Sequence, residues 1–156
     1  MNALEPGLVH TFTYRVPEER TVPHLFPDIP EFAEMPRVLA TGYMVGLVEW
    51  ACAESLMPFI DWPRELSLGT RLELTHEAAT PPGMDVSVHV TLVEIDGRRL
   101  RFEVLAEDEL DVICRGSHER YLVDVGRFEQ GLIKKRSQAS GALDPPLPNT
   151  PPAPTS

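Results

Sequence analysis

Cysteine is scarce in this chain: Cys52 and Cys114 are the only two, and they form neither a CxxC nor any ligand-like spacing. That excludes a disulfide-stapled scaffold; no metal site is expected, and reduced thiols in a cytoplasmic protein are. Basic residues are short too. Fourteen Lys and Arg face 24 Asp and Glu, a formal net charge of −10, which is the wrong sign for a nucleic-acid or anionic-membrane binder. No apolar run approaches the roughly 20 residues of a membrane span. The opening MNALE has no basic segment leading into an apolar stretch, so no signal peptide is expected. GxSxG, P-loop and Rossmann glycine patterns are absent. What remains is 156 residues, 42% hydrophobic and 24% charged, enough for one soluble globular domain burying roughly 68–70% of its unfolded surface.

Composition divides the chain. Six of the thirteen residues at 144–156 are proline and none is aromatic, too little apolar surface to offset the ordering entropy. A folded domain over 1–136 and a disordered, partly polyproline-II tail over 137–156 are expected. Residues 10–16 alternate, placing Phe12, Tyr14 and Val16 on one face of a strand. Prolines at 17, 23, 27, 30 and 36 rule out a long helix there. They leave a loop or lid whose Val22, Leu25, Phe26, Ile29, Phe32 and Met35 need something to cover. Residues 41–57 carry only two charges, Glu49 and Glu54, before Pro58; this is a buried helix, apolar on nearly every side, with Thr41 as its cap. Alternating segments follow at 70–78, 86–92, 100–106 and 112–123, with Asp96-Gly97 as a two-residue hairpin signal. The order β-α-β-β-β-β describes an α+β layer fold, an antiparallel meander curled around one helix.

Glu49 sits awkwardly in that helix. Its neighbours three and four positions away are Val45, Gly46, Cys52 and Ala53. A carboxylate there is paired, protonated or lining a cavity, unless the face reaches solvent; both readings stand on sequence alone. Thr41 reads as a cap, or as part of a helix N-terminus that holds an oxyanion. It lies about 12 Å from Glu49 along a helix axis, so a shared site requires a substrate or a second subunit to join them. His76, on the strand side of Leu72 and Leu74, reads as packed or as functional. The other histidines show no metal spacing.

Several stretches resemble the fluoroacetyl-CoA thioesterase family: TVPHLFP (21–27), PEFAEMP (30–36), ATGYMVGLVEWAC (40–52), SLGTRLELTHEAATPPG (67–83) and SHER (117–120). The resemblance spans residues 10–130 and implies a hotdog fold and a homodimer with its active site at or near the subunit interface. It implies hydrolysis of a small acyl-CoA, fluoroacetyl-CoA or a related short-chain thioester, to the free acid and coenzyme A. Catalysis falls to Thr41, Glu49 and His76, and substrate binding to Val22, Leu25, Phe32 and Met35 of the lid with Gly42, Gly69 and Arg120. No cofactor is implied, coenzyme A being part of the substrate. Where the fluoroacetyl-specific member has a gating phenylalanine in EFAEF, Met35 stands here, flexible and without a ring face, so strict discrimination against acetyl-CoA is not expected. Coenzyme A is polyanionic, so a protein at −10 needs a local basic patch, for which Arg98, Arg99, Arg101, Arg115 and Arg120 are the candidates. The rival reading is a non-catalytic hotdog domain that binds acyl-CoA as a sensor; a pure binder has no need of Glu49 and His76.

Overall fold

Five antiparallel strands curl around a long helix in a computed structural model that describes residues 3–140. The strands are β1 (Val9–Arg15), β2 (Glu65–Leu74), β3 (Asp85–Asp96), β4 (Arg99–Glu107) and β5 (Val112–Asp124). The helices are α1 (Pro30–Ala33), α2 (Thr41–Leu56) and α3 (Val125–Ala139). Alternation builds the core as the sequence implies. Val86, Val88, Val90 and Leu92 of β3 and Leu100, Phe102, Val104 and Ala106 of β4 are buried against Met44, Leu47, Val48, Ala51 and Leu56 of α2. Each large apolar side chain so buried contributes roughly 1.5–3 kcal/mol. The β3–β4 turn forms at the expected place, with Gly97 at φ +58° and Asp96 opposite Arg99.

The strand order, β1-β3-β4-β5-β2, corrects the simple meander. Only β3, β4 and β5 run as one, and β2 lies at the far edge beside β5. The chain between β2 and β3 crosses back instead of turning tightly. Buried Thr80 pins that crossing, its hydroxyl donating to Asp108 Oδ2 at 2.9 Å and its carbonyl accepting from Leu39 N at 2.8 Å. The strand expected at 70–78 is also displaced. It begins at Glu65, because Leu66–Leu68 already pair with Val123–Tyr121, and it ends at Leu74 after an irregularity between Gly69 and Arg71. The other edge of β2 is unpaired among the described residues.

Residues 17–37 form the lid, with single 3-10 turns at Glu18–Arg20 and Val22–His24 before α1. It is tied to α2 by the Tyr43 hydroxyl, which donates to His24 O at 3.1 Å, and by Leu25, whose Cδ2 would lie 3.3 Å from a Cβ at Gly42. Helix α3 was not anticipated. Asp124 caps it by accepting from Arg127 N at 2.9 Å, and it runs through position 136 to Ala139. The proline-rich stretch 144–156 lies outside the described residues.

Candidate active site

Helix α2 carries both halves of the site. At its start the N-cap is Ala40, not Thr41, and no side chain caps the helix. Thr41 is the first helical residue, and its hydroxyl turns away from the helix amides to meet His76 Nδ1 at 2.7 Å. His76 is not on a strand, as alternation suggested. It lies two residues beyond β2, where the ladder has loosened into the spaced contacts Thr75 N to Arg115 O and Glu77 N to Ile113 O. That release from the ladder lets the imidazole reach the helix N-terminus. Burial pushes the His76 pKa below its ordinary value and so favours the neutral ring. Its Nε2 is buried without a hydrogen-bond partner among the described residues.

Two turns further along, Glu49 answers the question the sequence left open: it is both paired and reachable. Its side chain is 46% exposed, and Oε1 stands 3.6 Å from Arg120 Nη1. Below it is bare backbone. A Cβ on Gly69 would lie 2.5 Å from Glu49 Oε1, closer than real contacts allow, and 3.0 Å from His118 Cε1, so the carboxylate keeps this position only over glycine.

Arg120 is 5% exposed and is not part of a solvated patch. Its Nε donates to Ser67 Oγ at 2.8 Å, Nη2 to Ser67 O at 2.7 Å and Nη1 to His118 Nε2 at 3.0 Å. The other arginines considered for coenzyme A each carry an acidic neighbour: Arg98 with Glu65 at 4.0 Å, Arg99 with Asp96 at 2.8 Å, Arg101 with Glu94 at 3.0 Å and Arg115 with Glu77 at 3.3 Å. Those carboxylates cancel much of the local positive potential. The thiols offer no nucleophile, since burial pushes Cys52 up to about 12 and Cys114 up to about 11.

His118 and Ser67 were overlooked. The signal for His118 was present in SHER: on an alternating strand His118 and Arg120 share one face, and the register sets them opposite core residues Phe102 and Leu100. Two polar groups on an inward face demand partners. Of the lid residues, Val22, Leu25 and Phe32 are half-buried, while Met35 is 46% exposed. No hydrogen bond or ion pair among the described residues joins the Thr41–His76 pair to the Glu49 cluster. Nor do the described residues hold a cluster of three or more metal-binding side chains, or a helix long and apolar enough to cross a membrane.

Comparison with known proteins gives a consistent result. The family described as fluoroacetyl-CoA-specific thioesterase matches residues 17–126. A fluoroacetyl-CoA thioesterase from Streptantibioticus cattleyicolor is 47% identical over 134 residues, 86% of this chain and 96% of that protein. Among solved structures, a variant of a fluoroacetyl-CoA-specific thioesterase in complex with fluoroacetate and CoA is 47% identical, covering 80% of this chain and 99% of its own, with a TM-score of 0.77. A thioesterase superfamily member from Thermus thermophilus is 27% identical over 90% of this chain and 99% of its own, with a TM-score of 0.79.

Proposed function

Because the chain belongs to the fluoroacetyl-CoA-specific thioesterase family, and is therefore a thioester hydrolase, we propose that Glu49, Thr41 and His76 hydrolyse a small acyl-CoA, fluoroacetyl-CoA or a related short-chain thioester. The observation that carries this is the seat of Glu49: a half-exposed carboxylate on glycine backbone, backed by a buried cation. Glu49 adds to the thioester carbonyl or activates the water that does. The carbon–sulfur bond breaks, water supplies the acid's new oxygen, and a proton ends on the departing coenzyme A sulfur. Thr41 and the first amides of α2 face the developing oxyanion, where the helix dipole is favourable. Neutral His76, bonded to the Thr41 hydroxyl, holds or shuttles a proton there. Val22, Leu25, Phe32 and Met35 cover the acyl group above Gly42. No cofactor enters this scheme, and the setting is the cytoplasm.

The working unit is a homodimer. Thr41 and Glu49 are two turns apart on one straight helix, so one site takes Glu49 from one protomer and the Thr41–His76 pair from a second copy. The unpaired edge of β2, with Leu72 45% exposed, supports strand-to-strand pairing between copies. Thr70→Pro, a proline set into that edge strand at its irregularity, should turn a dimer into a monomer by ultracentrifugation and remove turnover with it. Free-thiol release from acetyl- to hexanoyl-CoA and fluoroacetyl-CoA tests the reaction: wild type turns over at least one, and Glu49→Gln lowers kcat by about 10³-fold or more. Tight acyl-CoA binding without turnover would assign the chain to the sensor class instead.

A further inference from the structure

His118 has no role in the scheme above, yet it is a fully buried titratable side chain, 0% exposed in the middle of β5. A buried imidazole is costly unless both nitrogens are partnered, and both are. Nδ1 faces Arg71 O at 2.9 Å. A carbonyl only accepts, so the proton sits on Nδ1 and Nε2 is left with its lone pair. Arg120 Nη1 donates into that lone pair at 3.0 Å. Burial, then the Arg120 charge, push the His118 pKa below its ordinary value, in keeping with a neutral acceptor. The consequence reaches Glu49. Ser67 holds Nε and Nη2 of the guanidinium, and His118 takes one of the two Nη1 hydrogens. The other is left for Glu49 Oε1, 3.6 Å away.

We propose that His118 is a positioning residue for thioester hydrolysis: by accepting from Arg120 in its Nδ1–H form, it fixes the guanidinium against Glu49 and keeps that carboxylate seated over Gly69. This rests on the assignment of Glu49 to the reaction centre. Among the described residues Glu49 makes no hydrogen bond to Nε2; the effect is carried by Arg120. A histidine that only filled the core would influence stability and nothing else.

Two variants separate the roles because each keeps one nitrogen's chemistry. His118→Asn keeps a donor near Nδ1 for Arg71 O and removes the acceptor at Nε2. His118→Gln places an amide oxygen near Nε2 and gives up the bond to Arg71. With thiol release from the best short acyl-CoA as readout, kcat should fall about 10- to 100-fold in His118→Asn with KM changed less than about threefold. His118→Gln should stay within about fivefold of wild-type kcat even where its Tm is the lower of the two. Wild-type kcat in His118→Asn, an equal loss in His118→Gln, or kcat that simply tracks Tm would each overturn the proposal. Glu49→Gln is measured alongside. If it keeps wild-type turnover, the assignment of Glu49 fails and the role of His118 goes with it. If it is inactive while His118→Asn is not, only the positioning role is lost.

Discussion

The two halves of the site sit on one helix and are finished to different degrees. Around Glu49 the chain completes its own network: Ser67 and His118, the latter held by Arg71 O, fix the guanidinium of Arg120, a residue 5% exposed, and Gly69 gives the carboxylate its floor. Around Thr41 the chain stops short. His76 has one partner, its buried Nε2 has none among the described residues, and the lid above offers half-covered apolar side chains. A buried polar atom without a partner costs about 1–3 kcal/mol, a strain that a reacting group arriving at this half can relieve. In the proposed scheme the closed half is a preorganised electrostatic fixture, and the open half is the side that receives substrate.

Introducing the same methyl group into both halves gives the sharpest test of this difference and its largest expected effect short of removing the Glu49 carboxylate. In Gly69→Ala the new Cβ lies 2.5 Å from Glu49 Oε1, so the carboxylate has to leave its seat. Displacement of this order lowers kcat by about 10²-fold, while Tm falls only modestly, because His118 Cε1, 3.0 Å from the new Cβ, has to give by a few tenths of an ångström. In Gly42→Ala the nearest atom is Leu25 Cδ2 at 3.3 Å, and the lid gives by a few tenths of an ångström. There kcat should stay within about threefold, and stability should hold or rise by up to about 1 kcal/mol from helix propensity. Equal losses of kcat in the two variants would erase the distinction between closed and open halves.

Acid should also act on both halves, through their histidines. His76 and His118 both have pKa values lowered by burial in the folded chain. Below the ordinary histidine value of about 6.5 the unfolded chain therefore binds more protons than the folded one. Their contribution to stability is complete above that pH and is lost as pH falls toward the depressed folded values. Tm should be lower at pH 5.5 than at pH 7.5, and His118→Asn should flatten that slope. A slope unchanged by the substitution would mean that carboxylates carry it instead.

The closed half was the less legible in sequence, although its residues are all polar and conspicuous. Alternation in β3 and β4, the apolar run of α2 and the proline spacing of the lid are local signals, and each produced its element. The partner of β2 is not local. Whether Glu65–Leu74 lies beside β3 or β5 depends on where residues 75–84 lead, and the crossing is held by Thr80 and Asp108, 28 positions apart. His76 was misplaced for the same reason, because it follows the alternation of β2 but lies past the last rung of its ladder. The network behind Glu49 needs the register of β5 against β2 and β4, so Arg120 read as a substrate-binding residue and part of a basic coenzyme A patch, and its buried bonds to Ser67 and His118 stayed out of view. Helix α3 was more accessible: Asp124 before an apolar pair at Phe128 and Leu132, with Lys and Arg toward its end, is a capped amphipathic pattern.

The smallest expected effect lies on the open half, at the lid. Met35 is 46% exposed beside a segment in which Phe26 and Phe32 already meet edge to face, with centroids 5.2 Å apart. Methionine adapts to whatever lies beneath it, whereas a phenylalanine ring has a fixed shape and a polarised edge. Met35→Phe should therefore leave the fold and the Glu49 network untouched and act only on the choice between two acyl groups of nearly equal size. A single ring contact of this kind is worth about 1 kcal/mol, so the ratio of kcat/KM for fluoroacetyl-CoA over acetyl-CoA should rise about fivefold, with kcat on the better substrate little changed. A ratio that does not move would place discrimination in the closed half, with Arg120 and Gly69, and would make the lid a cover alone.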